Sequence, residues 1–241
     1  MKKSNHYINK ETADRFATAV FIILQTILYS VFMWQDFSNG SDTTNLKYAT
    51  ICLCLVFTVY KLPFSSIDGL LVFLALLFTV ASDTFTLLIN DYFTLGVSLF
   101  IPAQLIYGLR MRVWAEKPLY KSIIARFSVI VAVVLGATVA QIADGLTLVT
   151  AIYFSMLLYN AIESVFFAKT FKRILFCIGL WLFICCDVCV GLYNLTDVLG
   201  VAVNKEVFNF ASIMMWGFYL PSQVLIVTSI RKEKLAPLRF K

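Results

Sequence analysis

The sequence predicts an all-α integral membrane protein, with eight transmembrane helices in a single domain that covers residues 1–241. Two observations predict this class. The chain is 60% hydrophobic and only 14% charged, whereas soluble domains are about 45–50% apolar and about 25% charged. Its apolar residues also fall in long runs, and a helix needs about 17–25 such residues to cross the hydrocarbon of a bilayer. No segment between the runs is long enough for a soluble domain.

The predicted helices, in chain order, cover residues 16–34, 48–62, 67–89, 92–111, 121–143, 146–167, 174–192 and 207–230. The first run is too long for a signal-peptide core and lacks a small-residue cleavage site, so we expect it to remain as a helix. The second is short and ends before Pro63, but dropping it would upset the charge pattern of the loops. Asp68 opens the third helix, where a negative charge complements the helix N-terminus. Asp91 and Asp144-Gly145 mark short turns before the fourth and sixth helices. The fifth, seventh and eighth are long apolar runs that begin or end beside basic residues.

The positions of the basic residues predict that both termini are cytoplasmic, because cytoplasmic loops of membrane proteins carry an excess of Lys and Arg. With the N-terminus inside, only Lys47 and Lys205 fall in the outer segments. We expect Arg126 and Glu163, near cytoplasmic helix ends, to reach the interface. The net charge of +6 therefore needs no nucleic-acid partner. This charge bias and the lack of a targeting peptide fit a bacterial cytoplasmic membrane.

A short repeat predicts a four-plus-four internal duplication. Asp83 is followed by Pro102-Ala103-Gln104, and Asp187 is followed by Pro221-Ser222-Gln223. The third and fourth helices would then correspond to the seventh and eighth, in halves related by a pseudo-twofold axis along the membrane normal. At about 1.5 Å per residue, each aspartate lies about 8–9 Å below the outer end of its helix. The duplication therefore predicts that the two aspartates face one another at similar depth.

Asp83 and Asp187 are the strongest functional signal in the chain. A charged carboxylate in the middle of a transmembrane helix costs about 2.5–3.5 kcal/mol on insertion scales, so such residues normally face a polar cavity. The nearby prolines release the carbonyls of Ser98 and Gly217, which a cavity, water or a neighbouring helix must satisfy. The alternative is structural: an aspartate that binds a Tyr hydroxyl or a Gln amide and ties two helices together.

The sequence leaves few other chemistries for a membrane-embedded site. The only histidine, His6, lies in the polar N-terminal segment, so no Ser-His-Asp triad or Cys-His pair can form in the bilayer. H-E-x-x-H, G-x-x-x-x-G-K-[ST] and G-x-G-x-x-G are all absent from the sequence. The run from Cys185 to Cys189 lacks a histidine and the spacing of a zinc site. We expect no metal and no cofactor, which leaves carboxylate acid/base chemistry.

Polar residues that share helix faces are candidates to line the cavity. Gln104 and Tyr107 are three residues apart, and Tyr219 and Gln223 are four apart, spacings that place each pair on one face. Tyr153 and Asn160, seven apart, also share a face. These six residues are the predicted substrate-binding set.

Two motifs in each half carry a family resemblance. The first half contains Leu77-Phe78-Thr79-Val80-Ala81-Ser82-Asp83 and Tyr92-Phe93-x-x-Gly96-x-x-x-Phe100-x-x-Ala103-Gln104-x-x-Tyr107. The second contains Leu182-Phe183-Ile184-Cys185-Cys186-Asp187, similar to F-x-x-S-D, and Tyr219-Leu220-Pro221-Ser222-Gln223, similar to Y-x-x-x-Q. Over residues 67–230 these motifs resemble the YhhN-like membrane family, which includes the lysoplasmalogenases. The chain departs from the pattern at Gln104, where the family usually has a histidine; a glutamine hydrogen-bonds but does not transfer protons.

The resemblance implies hydrolysis of the vinyl ether bond of a lysoplasmalogen, which releases a fatty aldehyde and a glycerophospho-alcohol. Enol ethers hydrolyse by protonation on carbon, and water captures the resulting oxocarbenium ion. The reaction therefore calls for a carboxylic acid and a carboxylate. We expect one of Asp83 and Asp187 to be the general acid while the other stabilises the cation or orients water. The expected partners are a lysophospholipid substrate and membrane lipids.

Two other functions also fit the sequence. A proton-coupled transporter shares the repeats, the kinked helices and the intramembrane carboxylates, but it needs a polar pathway that reaches both faces, and only Glu163 continues towards the cytoplasm. In a non-catalytic membrane scaffold, the aspartates would only tie helices together.

Overall fold

The computed structural model describes residues 2–38, 40, 42–62, 67–115, 119–139, 141, 144–196 and 204–231, with the side chains of residues 2–11, 119, 121 and 122 left out. These residues form eight long helices and no β-strand. The helices are α1 (Lys2–Phe37), α2 (Thr44–Lys61), α3 (Ile67–Asp83), α4 (Phe93–Ala115), α5 (Leu119–Val139), α6 (Gly145–Phe167), α7 (Phe171–Tyr193) and α8 (Lys205–Thr228). A π-helical segment, Thr84–Ile89, continues α3.

Each predicted helix overlaps an observed one, and the largest difference is at the N-terminus. Helix α1 begins at Lys2 rather than at residue 16, because residues 2–37 contain no glycine or proline to end a helix. The segment around His6 is therefore helical. At the start of α6, the Asp144 carboxylate accepts hydrogen bonds from the backbone N–H and the hydroxyl of Thr147, both at 2.7 Å. These bonds hold the pKa of Asp144 below its usual range, and they make Asp144 the N-cap of α6.

The chain is a multi-pass membrane protein. Six helical segments are long and apolar enough to cross a bilayer: Thr12–Phe37, Ile67–Ile89, Phe93–Ala115, Gly145–Phe167, Phe171–Tyr193 and Lys205–Thr228. The apolar part of α5, Ile123–Val139, is shorter, and α2 falls below this level of hydropathy. Helix α2 is 18 residues long and carries Lys47 and Lys61, which pair with Asp36 and Asp14 of α1. Membrane crossing by α2 and α5 remains a prediction.

The most extensive helix contacts join α7 with α8 and α3 with α4. A glycine lies at each interface. A Cβ atom at Gly96 would come within 2.4 Å of the Thr86 methyl group, and one at Gly179 would come within 3.1 Å of the Ser222 carbonyl. Small residues let helix backbones approach closely in membranes. These two contacts hold the helices that carry the aspartates against the helices that carry the glutamines.

The helical path changes immediately after Asp83. The π-helical segment Thr84–Ile89 ends at Asn90, which has left-handed backbone angles (φ 56°). Its first residue, Thr84, lies 2.9 Å from the hydroxyl of Tyr48 on α2. Segments of π-helix are rare and frequently occur at functional sites, so this local irregularity marks the end of α3 as a region of interest.

A buried ion pair closes the predicted cytoplasmic end of the bundle. The Arg110 guanidinium donates to both oxygens of Asp68, at 2.9 and 3.0 Å. Asp68 also accepts from the indole N–H of Trp114 at 2.6 Å and from the backbone N–H of Arg231 at 2.9 Å. Asp68 is thus the partner of a buried arginine as well as an acidic residue at a helix start, a role that the sequence analysis missed.

Arg110 is fully buried (0% exposed), and the surrounding helices satisfy it. Its third nitrogen donates to the Ser229 hydroxyl at 2.8 Å. The guanidinium carbon lies 4.6 Å from the centre of the Trp114 ring and 4.7 Å from that of Phe176. The pair therefore connects α3, α4, α7 and the segment that follows α8.

Asp68→Asn should strongly destabilise the protein. The substitution keeps the size of the side chain but leaves the buried Arg110 without a counter-charge, and breaking such a pair costs about 3–5 kcal/mol. Chemical unfolding of the purified protein in detergent micelles measures the loss. Asp91→Asn, the same change in an exposed turn, is the control and should unfold like the wild type. Equal unfolding midpoints for both variants would show that the ion pair does not stabilise the fold.

Candidate functional site

The first predicted catalytic residue, Asp83, lies at the end of α3 and is 5% exposed. The hydroxyl of Tyr219, on α8, donates to its Oδ2 atom at 2.7 Å. The preceding residue, Ser82, donates to the Gly96 carbonyl of α4 at 2.6 Å. Asp83 is therefore held by contacts from two other helices.

The second predicted catalytic residue, Asp187, lies on α7 and is less enclosed. The residue is partly exposed, but its Oδ2 atom is buried and has no hydrogen-bond partner among the described residues. The hydroxyl of Tyr153, on α6, interacts with this carboxyl, although the two groups do not have the geometry of a normal hydrogen bond. The two aspartates thus differ: Asp83 accepts a hydrogen bond and the Oδ2 of Asp187 does not.

The two aspartates belong to one group of side chains. Both carboxyls lie within electrostatic range of the Tyr153 hydroxyl and the Cys186 thiol, and Tyr153 lies within the same range of Tyr219. We call Asp83, Asp187, Tyr153 and Tyr219 the aspartate–tyrosine cluster. The Phe183 ring packs against both tyrosines, with centroid distances of 6.4 Å to Tyr153 and 5.5 Å to Tyr219. Four helices thereby bring four residues from distant parts of the sequence together.

Asn160, a predicted lining residue, is occupied by protein contacts. Its amide nitrogen donates to the backbone and side-chain oxygens of Gln104, at 2.7 and 3.0 Å. Its amide oxygen accepts from Arg126 at 2.6 Å. Arg126 also donates to Glu163 at 2.7 Å, and Glu163 accepts a second bond from Arg112. In this arrangement Asn160 positions Gln104, and both polar atoms of its own amide bind protein groups.

The sequence analysis did not predict the protein contacts of Arg126 and Glu163. Arg126 is 3% exposed, because Glu163 and Asn160 lie one turn apart on α6 and both bind it. Gly108 of α4 makes room for it: a Cβ atom there would come within 2.4 Å of the guanidinium group. Arg112 and Arg126, the two arginines that bind Glu163, therefore join α4, α5 and α6.

Several polar atoms on α4, α6 and α8 are buried without a hydrogen-bond partner among the described residues. They are the Nε2 atom of Gln104, both amide atoms of Gln223, and the hydroxyls of Tyr107, Tyr153 and Ser222. The Tyr107 hydroxyl lies beside Thr79, whose own hydroxyl donates to the Ala75 carbonyl. A buried polar group without a partner costs about 1–3 kcal/mol. These groups are therefore candidates to bind polar groups of a substrate or water.

The carbonyl that Pro221 releases is satisfied by a neighbouring helix. The hydroxyl of Tyr29, on α1, donates to the Gly217 carbonyl at 3.0 Å. The sequence analysis missed Tyr29, because a tyrosine in an apolar run carries no signal of its partner 188 residues away. The carbonyl released by Pro221 is therefore bound by α1 and needs no cavity. Among the described residues, no group of three or more His, Cys, Asp or Glu side chains has the arrangement of a metal site.

Gln223→Met should leave the stability of the protein unchanged or raise it, because it removes a buried amide whose two polar atoms have no partner. Replacing unsatisfied polar groups by apolar groups of similar shape is neutral or stabilising. Thermal unfolding in detergent micelles measures the effect.

Gln25→Met is the matched control. Gln25 is also buried, but its amide donates to the Thr50 carbonyl at 2.8 Å and to the Cys54 sulfur at 3.2 Å. Its replacement should lower the unfolding temperature. If both variants lose stability equally, Gln223 has a structural partner and is not available to a ligand.

Comparison with known proteins identifies a family. The chain has no match among curated proteins or among solved structures. The YhhN family matches residues 43–230, a range that runs from the start of α2 to the end of α8 and includes the whole aspartate–tyrosine cluster. This match confirms the resemblance carried by the motifs around Asp83 and Asp187, and the chain belongs to the YhhN family.

Proposed function

We propose that this protein is a membrane-embedded hydrolase that cleaves the vinyl ether bond of lysoplasmalogen-type lysophospholipids. One observation carries the proposal: two intramembrane carboxyl groups and two tyrosine hydroxyls meet in the aspartate–tyrosine cluster. Membership of the YhhN family supports the same activity. Vinyl ether hydrolysis needs a proton donor and a group that stabilises a cation, and the two aspartates can supply both.

The different surroundings of the aspartates suggest different roles. Asp187 has a carboxyl oxygen without a partner, so it is the better candidate to deliver a proton to the vinyl carbon that lies β to the ether oxygen. Asp83 accepts the Tyr219 hydrogen bond, which suits a carboxylate that stabilises the oxocarbenium ion and orients water. Water then adds to the cation, and the resulting hemiacetal separates into a fatty aldehyde and a glycerophospho-alcohol.

The glutamines complete this proposal. Asn160 holds Gln104 in place, and the Nε2 atom of Gln104 and both amide atoms of Gln223 are buried without partners among the described residues. Amides bind water as both donors and acceptors. In the proposed site they position the attacking water or the glycerol portion of the substrate together with Tyr107. Gln104 takes no part in proton transfer, so the acid and base steps fall to the aspartates.

The helix contacts support the proposed four-plus-four duplication. In this duplication α1, α2, α3 and α4 correspond to α5, α6, α7 and α8. Contacts within the first half therefore have counterparts in the second: α1–α2, α2–α3 and α3–α4 match α5–α6, α6–α7 and α7–α8. Contacts between the halves also match, because α2–α8 and α1–α8 correspond to α4–α6 and α4–α5. If Pro102 corresponds to Pro221, Tyr219 corresponds to Phe100, which has no hydroxyl. The duplication thus accounts for the difference between the two aspartates, since only Asp83 receives a tyrosine hydrogen bond from this position.

We further propose cytoplasmic termini in a bacterial cytoplasmic membrane, from the distribution of Lys and Arg.

A proton-coupled carrier is the second candidate, and one observation favours it. A hydrogen-bonded chain from Glu163 through Arg126 and Asn160 to Gln104 runs from the predicted cytoplasmic side towards the middle of the bundle. Glu163, however, is already paired with two arginines, so it is poorly suited to carry protons. Substrate-dependent proton uptake into liposomes would favour the carrier, and turnover without proton uptake favours the hydrolase.

Asp83→Asn and Asp187→Asn should each reduce hydrolysis of a lysoplasmalogen by about 100- to 10,000-fold, the usual contribution of a general acid or base. The protein is reconstituted in liposomes, and aldehyde release is followed with a coupled dehydrogenase. Asp91→Asn is the control and should keep wild-type turnover. Wild-type turnover in both folded site variants would exclude the acid pair. If the two aspartate variants lose stability and no protein, the wild type included, hydrolyses the substrate, the result would indicate a scaffold.

Tyr219→Phe should lower the turnover about ten- to a hundredfold, because a hydrogen bond to a charged group contributes about 1.5–3 kcal/mol. The change removes only the hydroxyl that binds Asp83. Tyr193→Phe, at a residue that stacks on Phe208 near the end of α7, removes the same atom outside the cluster and should have no effect. Unchanged turnover in Tyr219→Phe would contradict the role given to this hydrogen bond.

A further inference from the structure

A second site lies at the predicted cytoplasmic end, where α4 and α6 end and α7 begins. A cleft of about 290 Å³ is lined by Trp114, Ala115, Phe166, Phe167, Lys169 and Arg173. It is distinct from the aspartate–tyrosine cluster, because Arg173 and Asp187 are separated along α7 by about 21 Å at 1.5 Å per residue. Nothing in the proposed hydrolysis uses this cleft.

The charged residues that line the cleft are both cationic. No ion pair among the described residues includes Lys169 or Arg173, and the carboxylates Asp68 and Glu163 of the adjoining helices are already bound to other arginines. Arg231 also lies within electrostatic range of Arg173. Among the described residues, the charges that line the cleft are therefore positive, which favours an anionic ligand.

Arg173 is oriented by the wall of the cleft. One of its nitrogens donates to the Trp114 carbonyl at 2.9 Å, and its guanidinium carbon lies 5.4 Å from the centre of the Trp114 ring. Its Nε atom is buried and has no hydrogen-bond partner among the described residues. A held guanidinium with an unused donor is suited to bind a phosphate oxygen.

The backbone at this place also favours an anion. Helix α7 begins at Phe171, and its N-cap residue, Thr170, makes no side-chain hydrogen bond to the first turn. The N–H groups of the first turn and the helix dipole attract negative charge. Arg173 belongs to this turn, so its guanidinium and the free amides lie at the same end of α7.

The other wall of the cleft carries exposed apolar side chains. Phe166 is 72% exposed and Ile162, one turn earlier on α6, is 47% exposed, so they form an apolar strip that runs from the cleft along the membrane-facing surface. A basic cleft above an apolar strip matches a phospholipid, whose phosphate lies at the interface and whose acyl chain extends into the hydrocarbon. We infer that this cleft binds the phosphate of an anionic phospholipid through Lys169 and Arg173, while an acyl chain lies along Ile162 and Phe166.

Native mass spectrometry of the full-length protein in detergent micelles, titrated with phosphatidylglycerol, tests the inference. The variants are Lys169→Gln, Arg173→Gln and the double variant. At about 1 kcal/mol for each basic residue near a membrane surface, the double variant should bind phosphatidylglycerol about thirtyfold more weakly than the wild type. Lys169→Gln changes an exposed side chain without a described ion pair, so this variant reports on binding even if Arg173→Gln impairs folding.

Lys205→Gln removes one positive charge at the start of α8, outside the cleft, and should bind phosphatidylglycerol like the wild type. Phosphatidylcholine, whose headgroup carries a compensating positive charge, should bind more weakly and respond less to the variants. Inorganic phosphate at the same concentration should not displace the lipid. Equal phosphatidylglycerol affinity in the wild type, Lys169→Gln and the double variant would overturn the inference. Full displacement of the lipid by inorganic phosphate would also overturn it and would indicate a site for soluble phosphate.

Discussion

Inside a bilayer, a buried polar group has no bulk water to bind, so its partner must come from another part of the protein. This constraint organises the structure. Arg110 binds Asp68 between α4 and α3, and Arg126 binds Glu163 between α5 and α6. Each pair satisfies two charges and at the same time determines which helices are neighbours. The hydroxyl of Tyr29 acts in the same way on α8, where it binds the carbonyl released by Pro221.

The aspartate–tyrosine cluster and the amides of Gln104 and Gln223 depart from this rule, which supports the proposal that they form a site. Most charged groups near the predicted cytoplasmic end have partners, whereas an oxygen of Asp187 and the amides of Gln104 and Gln223 keep atoms without one. A protein that retains unsatisfied polar groups in its interior gives up stability there, and such costs are typical of functional sites. Asp83, Asp187, Gln104 and Gln223 lie on the two helix pairs with the most extensive contacts, α3 with α4 and α7 with α8. A rigid surrounding keeps reactive groups in a productive geometry.

The proposed duplication relates the two halves, but the two aspartates are not equivalent. Tyr219 donates to Asp83, while the corresponding residue of the first half, Phe100, stacks on Tyr153 at 5.1 Å. A symmetric pair of carboxyls would have no basis for dividing an acid role from a cation-stabilising role. The loss of one hydroxyl between the halves provides that basis and links the repeat to the proposed mechanism. The basic cleft near Arg173 has walls from both halves and lies at the opposite end of α7 from Asp187.

The sequence by itself determined the membrane class, the approximate helices and the family, because apolar length and short motifs are local properties. It also singled out Asp83 and Asp187, since a carboxylate within an apolar run is costly wherever the chain folds. Only the tertiary structure decided which side chains are partners. Asp83 and Tyr219, for example, are 136 residues apart in the sequence. Helical periodicity shows which residues share a helix face, but it does not show which other helix that face contacts. For the same reason the sequence did not show that packing of α5 on α6 buries Arg126 and Asn160 and joins them to each other.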